Sequence, residues 1–145
     1  MPSGSCTALE QLPERPGAIV RGSRRAVMAT VDARHRPHAV PVCWAELAGS
    51  IAVAVDDKPK KSGPLQRVRN IERNPEVTFL FDHYENDWNR VDWVMVRTRA
   101  TLAPPGTARA ELAQRYEQYA ASPPRGEIIV ATPHRILWWT FESNE

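Results

Sequence analysis

The sequence predicts a mostly β protein of the α+β class, a small antiparallel barrel of six strands with two or three helices. Three observations lead to this prediction. Runs of β-branched and aromatic residues recur from Arg25 onward, most of them alternate large apolar side chains with small or polar ones, and the links between them are mostly short. Alternation is typical of a sheet with one buried face, and short links favour antiparallel neighbours.

The elements follow in a simple order. A short helix is predicted within residues 8–23, broken near Pro13 and Pro16, and residues 1–20 are expected to be loosely ordered. In the third of the predicted strands, Ile51, Val53 and Val55 are expected to share one buried face. The six predicted strands span residues 26–32, 38–47, 51–55, 77–81, 91–102 and 134–141, and the links 32–37 and 48–50 are expected to be hairpins.

Two helices interrupt the strands. The first is predicted at 62–74, with Ser62 or Gly63 as its cap, and Pro75 ends it. Its apolar residues recur every three positions and form one narrow stripe, made of Leu65, Val68 and Ile71. The second is predicted at 106–122. No repeat or linker divides the chain, so residues 1–145 are expected to form one domain.

Composition narrows the classes of function. Apolar residues make up 42% and charged residues 25% of the 145, as in ordinary soluble globular proteins, which argues against disorder. The net charge of +2 argues against a general nucleic-acid binder, although it allows a local basic patch. Cys6 and Cys43 form neither a C-x-x-C pair nor a disulfide framework. No apolar run suits a membrane span, and the first residues lack a signal-peptide pattern, so a cytoplasmic protein is expected.

Familiar catalytic and metal-binding patterns do not occur. Only His35 and His38 lie close together among the histidines, and no cysteine or carboxylate accompanies them at ligand spacing, so no metal site is expected. There is no G-x-S-x-G motif, and neither cysteine has the context of a nucleophile. No catalytic acid or base can therefore be assigned from the sequence.

The segment 82–93 combines acids with aromatic residues. The acids are Asp82, Glu85, Asp87 and Asp92, and the aromatic residues are Tyr84, Trp88 and Trp93. A solvated acidic loop between two strands is one interpretation. A subunit contact or a substrate lid is the other, because aromatic side chains with polar tips favour interfaces and ligand walls.

The basic segment 58–73 carries the strongest indication of function. It contains one acid, Glu72, and six basic residues, which are Lys58, Lys60, Lys61, Arg67, Arg69 and Arg73. The lysines precede a helix N-terminus, where free N–H groups and the helix dipole favour a phosphate or carboxylate. Ideal helix geometry places Arg67 and Arg69 on either side of the apolar stripe and Arg73 in solvent. A merely solvated charged run is the alternative, and the role of Arg69 stays open.

Four stretches together resemble the pyridoxamine 5′-phosphate oxidase-like split β-barrel family, over residues 20–141. They are "RVRNIERNP" (67–75), "ATVDARHRPHAVPVCW" (29–44), "DHYENDW" (82–88) and "RILWW" (135–139). Within the family, the chain looks most similar to the actinobacterial branch that binds the deazaflavin F420. The resemblance implies a six-stranded split barrel of the FMN-binding type, and a homodimer with two cofactor sites at its interface.

The resemblance also assigns candidate residues. The cofactor phosphate would be held by Arg67, where relatives commonly have lysine, with Lys58, Lys60 and Lys61. The planar ring would lie along Val40, Pro41, Val42 and Cys43, and Trp88 and Trp139 are candidates to contact it from the partner subunit. The segment before the first insert helix is longer than in FMN-binding relatives, which disfavours FMN. Thr98 stands where relatives often have glycine, which would narrow the space along its strand.

The expected function is therefore that of an oxidoreductase that transfers hydride from reduced F420 to an unsaturated or quinone-like small molecule. The proton could come from solvent, Tyr84 or His38. One alternative is an FMN-dependent oxidase or reductase of the pyridoxamine phosphate oxidase type. Others are a non-catalytic flavin or deazaflavin carrier and a nucleic-acid binder that uses the basic segment.

Overall fold

The computed structural model describes residues 3–55 and 65–141, which form one curled antiparallel sheet with helices packed against it. The strands in these ranges are β1 (Gly4–Cys6), β2 (Ala26–Val31), β3 (Pro37–Val42), β4 (Ala45–Leu47), β5 (Ser50–Ala54), β6 (Glu76–His83), β7 (Asp92–Ala103) and β8 (Ile128–Thr140). Their order across the sheet is β3-β2-β6-β7-β8-β5-β4, and β1 pairs with the C-terminal half of β8. The predicted fold class is confirmed, with two short strands, β1 and β4, beyond the six expected.

The predicted strand 38–47 is two strands, because Trp44 leaves the sheet. Its side chain is 0% exposed, and its indole N–H donates to the Ser23 carbonyl at 3.0 Å. Its backbone N–H donates to the Tyr116 hydroxyl at 3.0 Å instead of to a neighbouring strand. A large side chain that must enter the core therefore separates β3 from β4.

The last strand, β8, begins earlier than expected and contains Pro133. Proline lacks a backbone donor and is tolerated where a strand has no partner on one side or at a bulge. On one side of β8, the pairing with β5 ends at Ala131 and that with β1 begins at Ile136. On the other side, the register with β7 shifts between Arg97 and Thr98, opposite the proline. Both conditions are met, so the strand continues through it.

The helices differ from expectation at their ends. They are α1 (Glu14–Gly22), α2 (Gln66–Arg73), α3 (Arg109–Arg115) and α4 (Glu117–Ala121), with 3₁₀ turns at Leu9–Gln11 and Trp88–Arg90. The expected break at Pro16 is wrong, because this residue lies in the first turn of α1, where backbone N–H groups have no intrahelical partner. The predicted helix 106–122 is divided at Tyr116, whose backbone is extended.

The N-terminal residues contain more regular structure than the expected loose segment. Gly4–Cys6 pairs with β8 from Ile136 to Trp138, and Leu9 is buried in the main core. The α1 helix packs against β6, β7 and β8. This end of the chain thus adds a strand to the sheet and a helix packed against it.

Two apolar clusters stabilise the fold. The larger lies inside the curled sheet, around Trp44, Phe79 and Phe81. The smaller lies outside β5, where Ala52 and Ala54 pack with residues such as Leu112 of α3. The expectation of one buried face for the third predicted strand is wrong, because α3 covers the second face. No helix in the described ranges is long and apolar enough to cross a bilayer.

Candidate functional site

Asn70 holds the helix that carries the basic residues. It is 1% exposed, its amide donates to the Thr30 hydroxyl of β2 at 2.9 Å, and it accepts a hydrogen bond from Gln66 at 2.7 Å. Val68 and Ile71 are buried beside it. Sequence reasoning missed this role, although a short polar residue within an apolar helix face was a visible sign of it.

The end of the motif directs the chain into β6. Asn74 ends α2, and its side chain accepts a hydrogen bond from the Glu76 backbone N–H at 3.0 Å. The carbonyl of Pro75 accepts the N–H of Ala100 at 2.8 Å. Asn70, Ile71, Asn74 and Pro75 are therefore structural, and the arginines of this motif remain as candidates to bind a ligand.

Arg67 differs from the other arginines of α2 in its burial. Its side chain is half-buried with a fully buried Nε, whereas Arg69 and Arg73 are exposed. The sequence placed Arg67 and Arg69 symmetrically about the apolar stripe. The structure breaks this symmetry, because burial of Asn70 extends the buried face of the helix toward Arg67.

The β3 strand lies at one end of the sheet, beside the strand that holds α2. Thr30, the partner of Asn70, pairs in register with His38 of β3. In the described ranges β3 pairs only with β2, so alternate backbone groups along its other edge face outward. Its two prolines, Pro37 and Pro41, suit such an edge. The helix that bears Arg67 is thus tied to the strand that pairs with β3.

The four residues predicted to line the ring do not share a face. Val40 is half-buried against the core and Val42 is buried, whereas Pro41 and Cys43 are exposed. A flat ligand along this edge would therefore meet the backbone of all four residues but the side chains of alternate ones.

The start of α2 also differs from expectation. Its first residue is Gln66, and Leu65 precedes it without a side-chain cap. The predicted caps Ser62 and Gly63 lie outside the described residues. The predicted phosphate ligands Lys58, Lys60 and Lys61 lie outside the described residues.

The structure brings the two predicted aromatic contacts together. Trp88 and Trp139 line one cavity of about 340 Å³, and the other residues of its wall are Tyr84, Val91 and Phe141. Trp88 is 73% and Tyr84 66% exposed. The rings of Trp139 and Phe141 meet edge to face, with centroids 5.9 Å apart. Large exposed aromatic side chains around one cavity indicate a contact surface for a ligand or another subunit.

Most acids of the segment 82–93 have structural partners. Asp92 is 3% exposed and pairs with Arg15 at 2.9 Å. Glu85 accepts from His83 at 2.6 Å and lies 3.3 Å from the Arg90 guanidinium. Asp87 accepts the Asn89 N–H and so begins the 3₁₀ turn that presents Trp88. These bonds shape the aromatic cavity, which a simply solvated loop would not do.

A second, open cavity of about 790 Å³ lies on the outer face of the sheet and contains Pro41. Residues 22–27, Leu80, Asp82 and His83 complete its wall. One apolar row crosses this face through paired positions of five strands, and it consists of Pro41, Val27, Leu80, Met95 and Leu137. The last four are half-buried and Pro41 is exposed. An apolar row of this length on an outer face indicates a surface that another molecule covers.

The two candidate proton donors lie in different places. His38 is half-buried beside Thr30, and its Nδ1 is buried with no hydrogen-bond partner in the described structure. Tyr84 belongs to the aromatic cavity.

Thr98 is fully buried and its hydroxyl donates a hydrogen bond to the Val77 carbonyl at 2.8 Å, so this hydroxyl stabilises the sheet. Within 3–55 and 65–141, no group of three His, Cys, Asp or Glu residues could hold a metal ion.

Comparisons with known proteins agree with this architecture. A crystal structure of a conserved hypothetical protein from Mycobacterium tuberculosis superposes with a TM-score of 0.71 at 18% identity, over 90% of this chain and 87% of that one. A structure named F420 reductase superposes with a TM-score of 0.66 at 22% identity, over 86% of this chain and 98% of that one. A heme-binding protein from Mycobacterium smegmatis superposes with a TM-score of 0.69 at 18% identity, over 88% of this chain. This chain spans 53% of that protein, about half of its length.

None of the curated proteins matches the chain. The family model described as pyridoxamine 5′-phosphate oxidase matches residues 12–143, nearly the whole sequence. The chain therefore belongs to the pyridoxamine 5′-phosphate oxidase-like family of split-barrel proteins.

Proposed function

We propose that this chain is a cytoplasmic oxidoreductase of the actinobacterial deazaflavin branch, which uses reduced F420 to reduce an unsaturated or quinone-like small molecule. The observation that carries the proposal is the position of α2, which carries Arg67 and is tied through Asn70 to the strand beside the open edge of β3. In this proposal the Arg67 guanidinium binds an anion near the end of the sheet where β3, within the described residues, pairs only with β2. A structural neighbour named F420 reductase supports the same choice.

In this proposal Arg67 holds the cofactor phosphate together with Lys58, Lys60 and Lys61, and the outward backbone groups of residues 40–43 bond the polar edge of the ring. A half-buried guanidinium suits this role, because partial burial strengthens charge-assisted hydrogen bonds to phosphate. The deazaflavin supplies the hydride, and the chain supplies orientation and exclusion of water.

We also propose that a second copy of the chain covers the outer apolar row. Val27, Leu80 and Met95 lie at its centre and are only half-buried in one copy. Burial of such a row in a homodimer is favourable by about 25 cal/mol per Å² of apolar surface. Trp88 lies in the 3₁₀ turn between β6 and β7 and Trp139 lies near the end of β8, and in this proposal they contact the cofactor of the partner subunit.

Separate titrations of F420, FMN and hemin test the cofactor. Quenching of the protein's tryptophan fluorescence reports the binding of each ligand. It should show saturable, tight binding of F420 and weak binding of FMN. Hemin is included because one structural neighbour is a heme-binding protein. Tight binding of FMN or hemin with none of F420 would overturn the proposal. Binding of F420 without turnover of any quinone or enone would instead favour a cofactor carrier.

Charge reversal tests the phosphate site. Arg67→Glu, and separately Lys58→Glu with Lys61→Glu, should each weaken F420 binding at least about a hundredfold, since each removes a charge-assisted contact and adds a repulsive one. Arg109→Glu is the matched control, because Arg109 is exposed on α3 and lines none of the cavities described above. Equal affinity of all three variants would place the phosphate elsewhere.

A further inference from the structure

A small cavity lies between the β2–β3 hairpin and α2, with a wall rich in arginine. Its volume is about 180 Å³, and four of its seven lining residues are arginines, Arg34, Arg36, Arg69 and Arg73. The others are Asp32, Ala33 and Gln66. We call it the four-arginine cavity.

The hairpin side of this cavity is ordered by Asp32. Its carboxylate accepts the backbone N–H groups of Arg34 at 2.8 Å and Arg36 at 2.9 Å, and the Arg36 Nε at 2.8 Å. His35 takes the left-handed backbone conformation, with φ of 63°, which closes the turn. Asp32, the one acid among the described lining residues, is thus engaged in shaping the hairpin, and it fixes the backbone of Arg34 and both the backbone and the guanidinium of Arg36.

The helix side is ordered by the bond from Asn70 to Thr30, only two residues before Asp32 on the chain. Gln66, Arg69 and Arg73 recur three and four positions apart, so they lie on one face of α2. Arg67 lies about 160° around the helix from Arg69, since successive residues turn by about 100°. The four-arginine cavity is therefore separate from the direction in which Arg67 points.

Among the described residues of the cavity wall, positive groups outnumber negative ones. There are four arginines and one carboxylate, and within the described ranges no acid forms an ion pair with Arg34 or Arg73. Like charges held close together repel one another, and an anionic ligand between them relieves that repulsion. Guanidinium groups also bind phosphate and carboxylate in a bidentate manner.

We propose that the four-arginine cavity binds a compact oligo-oxyanion, a ligand with two or more adjacent phosphate or carboxylate groups. Several guanidiniums converge on a small volume, which suits closely spaced negative charges. An extended nucleic-acid backbone would need a longer basic track and a more basic chain than one of net charge +2. The oligo-oxyanion is either a free small molecule or the acidic tail of a cofactor whose phosphate occupies the Arg67 site.

Calorimetric titration of the full chain with tripolyphosphate, and separately with citrate, tests the site. Wild type should bind at least one of them, and Arg34→Gln and Arg73→Gln should each weaken that binding about tenfold. Arg109→Gln removes the same charge from an exposed position of α3 and should change the affinity less than about twofold. Unfolding midpoints of the three variants serve as the check on folding. Equal affinity of the three, or no binding of either anion by wild type, overturns the proposal.

Repeating the titration on protein saturated with F420 separates the two sources. Unchanged tripolyphosphate affinity supports a free ligand. Loss of that binding, together with weaker F420 binding by Arg34→Gln, supports the acidic tail of the cofactor. A chain that binds a single-stranded oligonucleotide but neither small anion overturns the site in favour of a nucleic-acid surface. The tripolyphosphate result on the cofactor-free chain stands whether or not F420 proves to be the cofactor.

Discussion

Replacing Asn70 by alanine should destabilise the protein by about 2–3 kcal/mol, although the residue belongs to a helix otherwise rich in exposed charge. Its amide is buried and bonded to the equally buried Thr30 hydroxyl at 2.9 Å. The change breaks that bond, leaves the hydroxyl without its partner, and empties a small volume between helix and sheet. A buried polar group left unpaired costs about 1–3 kcal/mol, and the lost packing adds to this.

Urea unfolding followed by tryptophan fluorescence measures the effect, at one protein concentration because association would add to stability. Glu72→Ala is the control, since Glu72 is exposed on the same helix and its replacement should cost no more than roughly 0.5 kcal/mol. Thr30→Val combined with Asn70→Ala should cost clearly less than the sum of the single changes. If the free-energy changes of Thr30→Val and Asn70→Ala were simply additive, the reasoning that the bond between them holds α2 on the sheet would be refuted. An Asn70→Ala variant within about 0.5 kcal/mol of wild type in stability would refute it as well.

Three further predictions concern other parts of the molecule. Tyr116→Phe should cost about 1–3 kcal/mol in urea unfolding, because the hydroxyl donates to the Arg24 carbonyl and accepts the Trp44 N–H. Met95→Glu, on the outer apolar row, should shift the chain from dimer to monomer in analytical ultracentrifugation, since the charge would be buried in the interface. Asp32→Asn should destabilise the protein at pH 7 but much less near pH 2, as urea unfolding at the two pH values would show.

The direction of the pH effect follows from the hydrogen bonds of Asp32. The Arg36 backbone N–H first, and then the Arg34 N–H and the Arg36 guanidinium, hold the pKa of this carboxyl below its usual value of 3.8. The contribution of the Asp32 carboxylate to the free energy of unfolding is therefore complete above its unfolded-state pKa. It is lost as the pH falls through the lower folded-state pKa. An equal effect of Asp32→Asn at both pH values would contradict this origin of the pH effect.

A Met95→Glu variant that sediments like wild type would contradict the proposed interface.

Much of the fold could be predicted from the sequence because the relevant information is local. Alternation and turn residues indicated the six long strands, since side chains in a strand point alternately to its two faces. The break at Trp44 could not be predicted in this way. It depends on Ser23 and on Tyr116, which approach it only in the folded chain. Burial of both faces of β5 likewise depends on α3, which lies far along the sequence.

For the candidate site, the sequence alone determined the charge surplus before and within α2 and the motif by which the chain resembles its family. Only the tertiary structure decided that Arg67 is half-buried and that Arg73 faces the hairpin, because the hydrogen bond from the buried Asn70 to Thr30 sets how α2 lies on the sheet. It also joined Trp88 to Trp139 in one cavity. The physical reason is common to both cases. The composition of a segment is local, whereas the neighbours of a side chain are set by strand register and helix packing between distant parts of the chain.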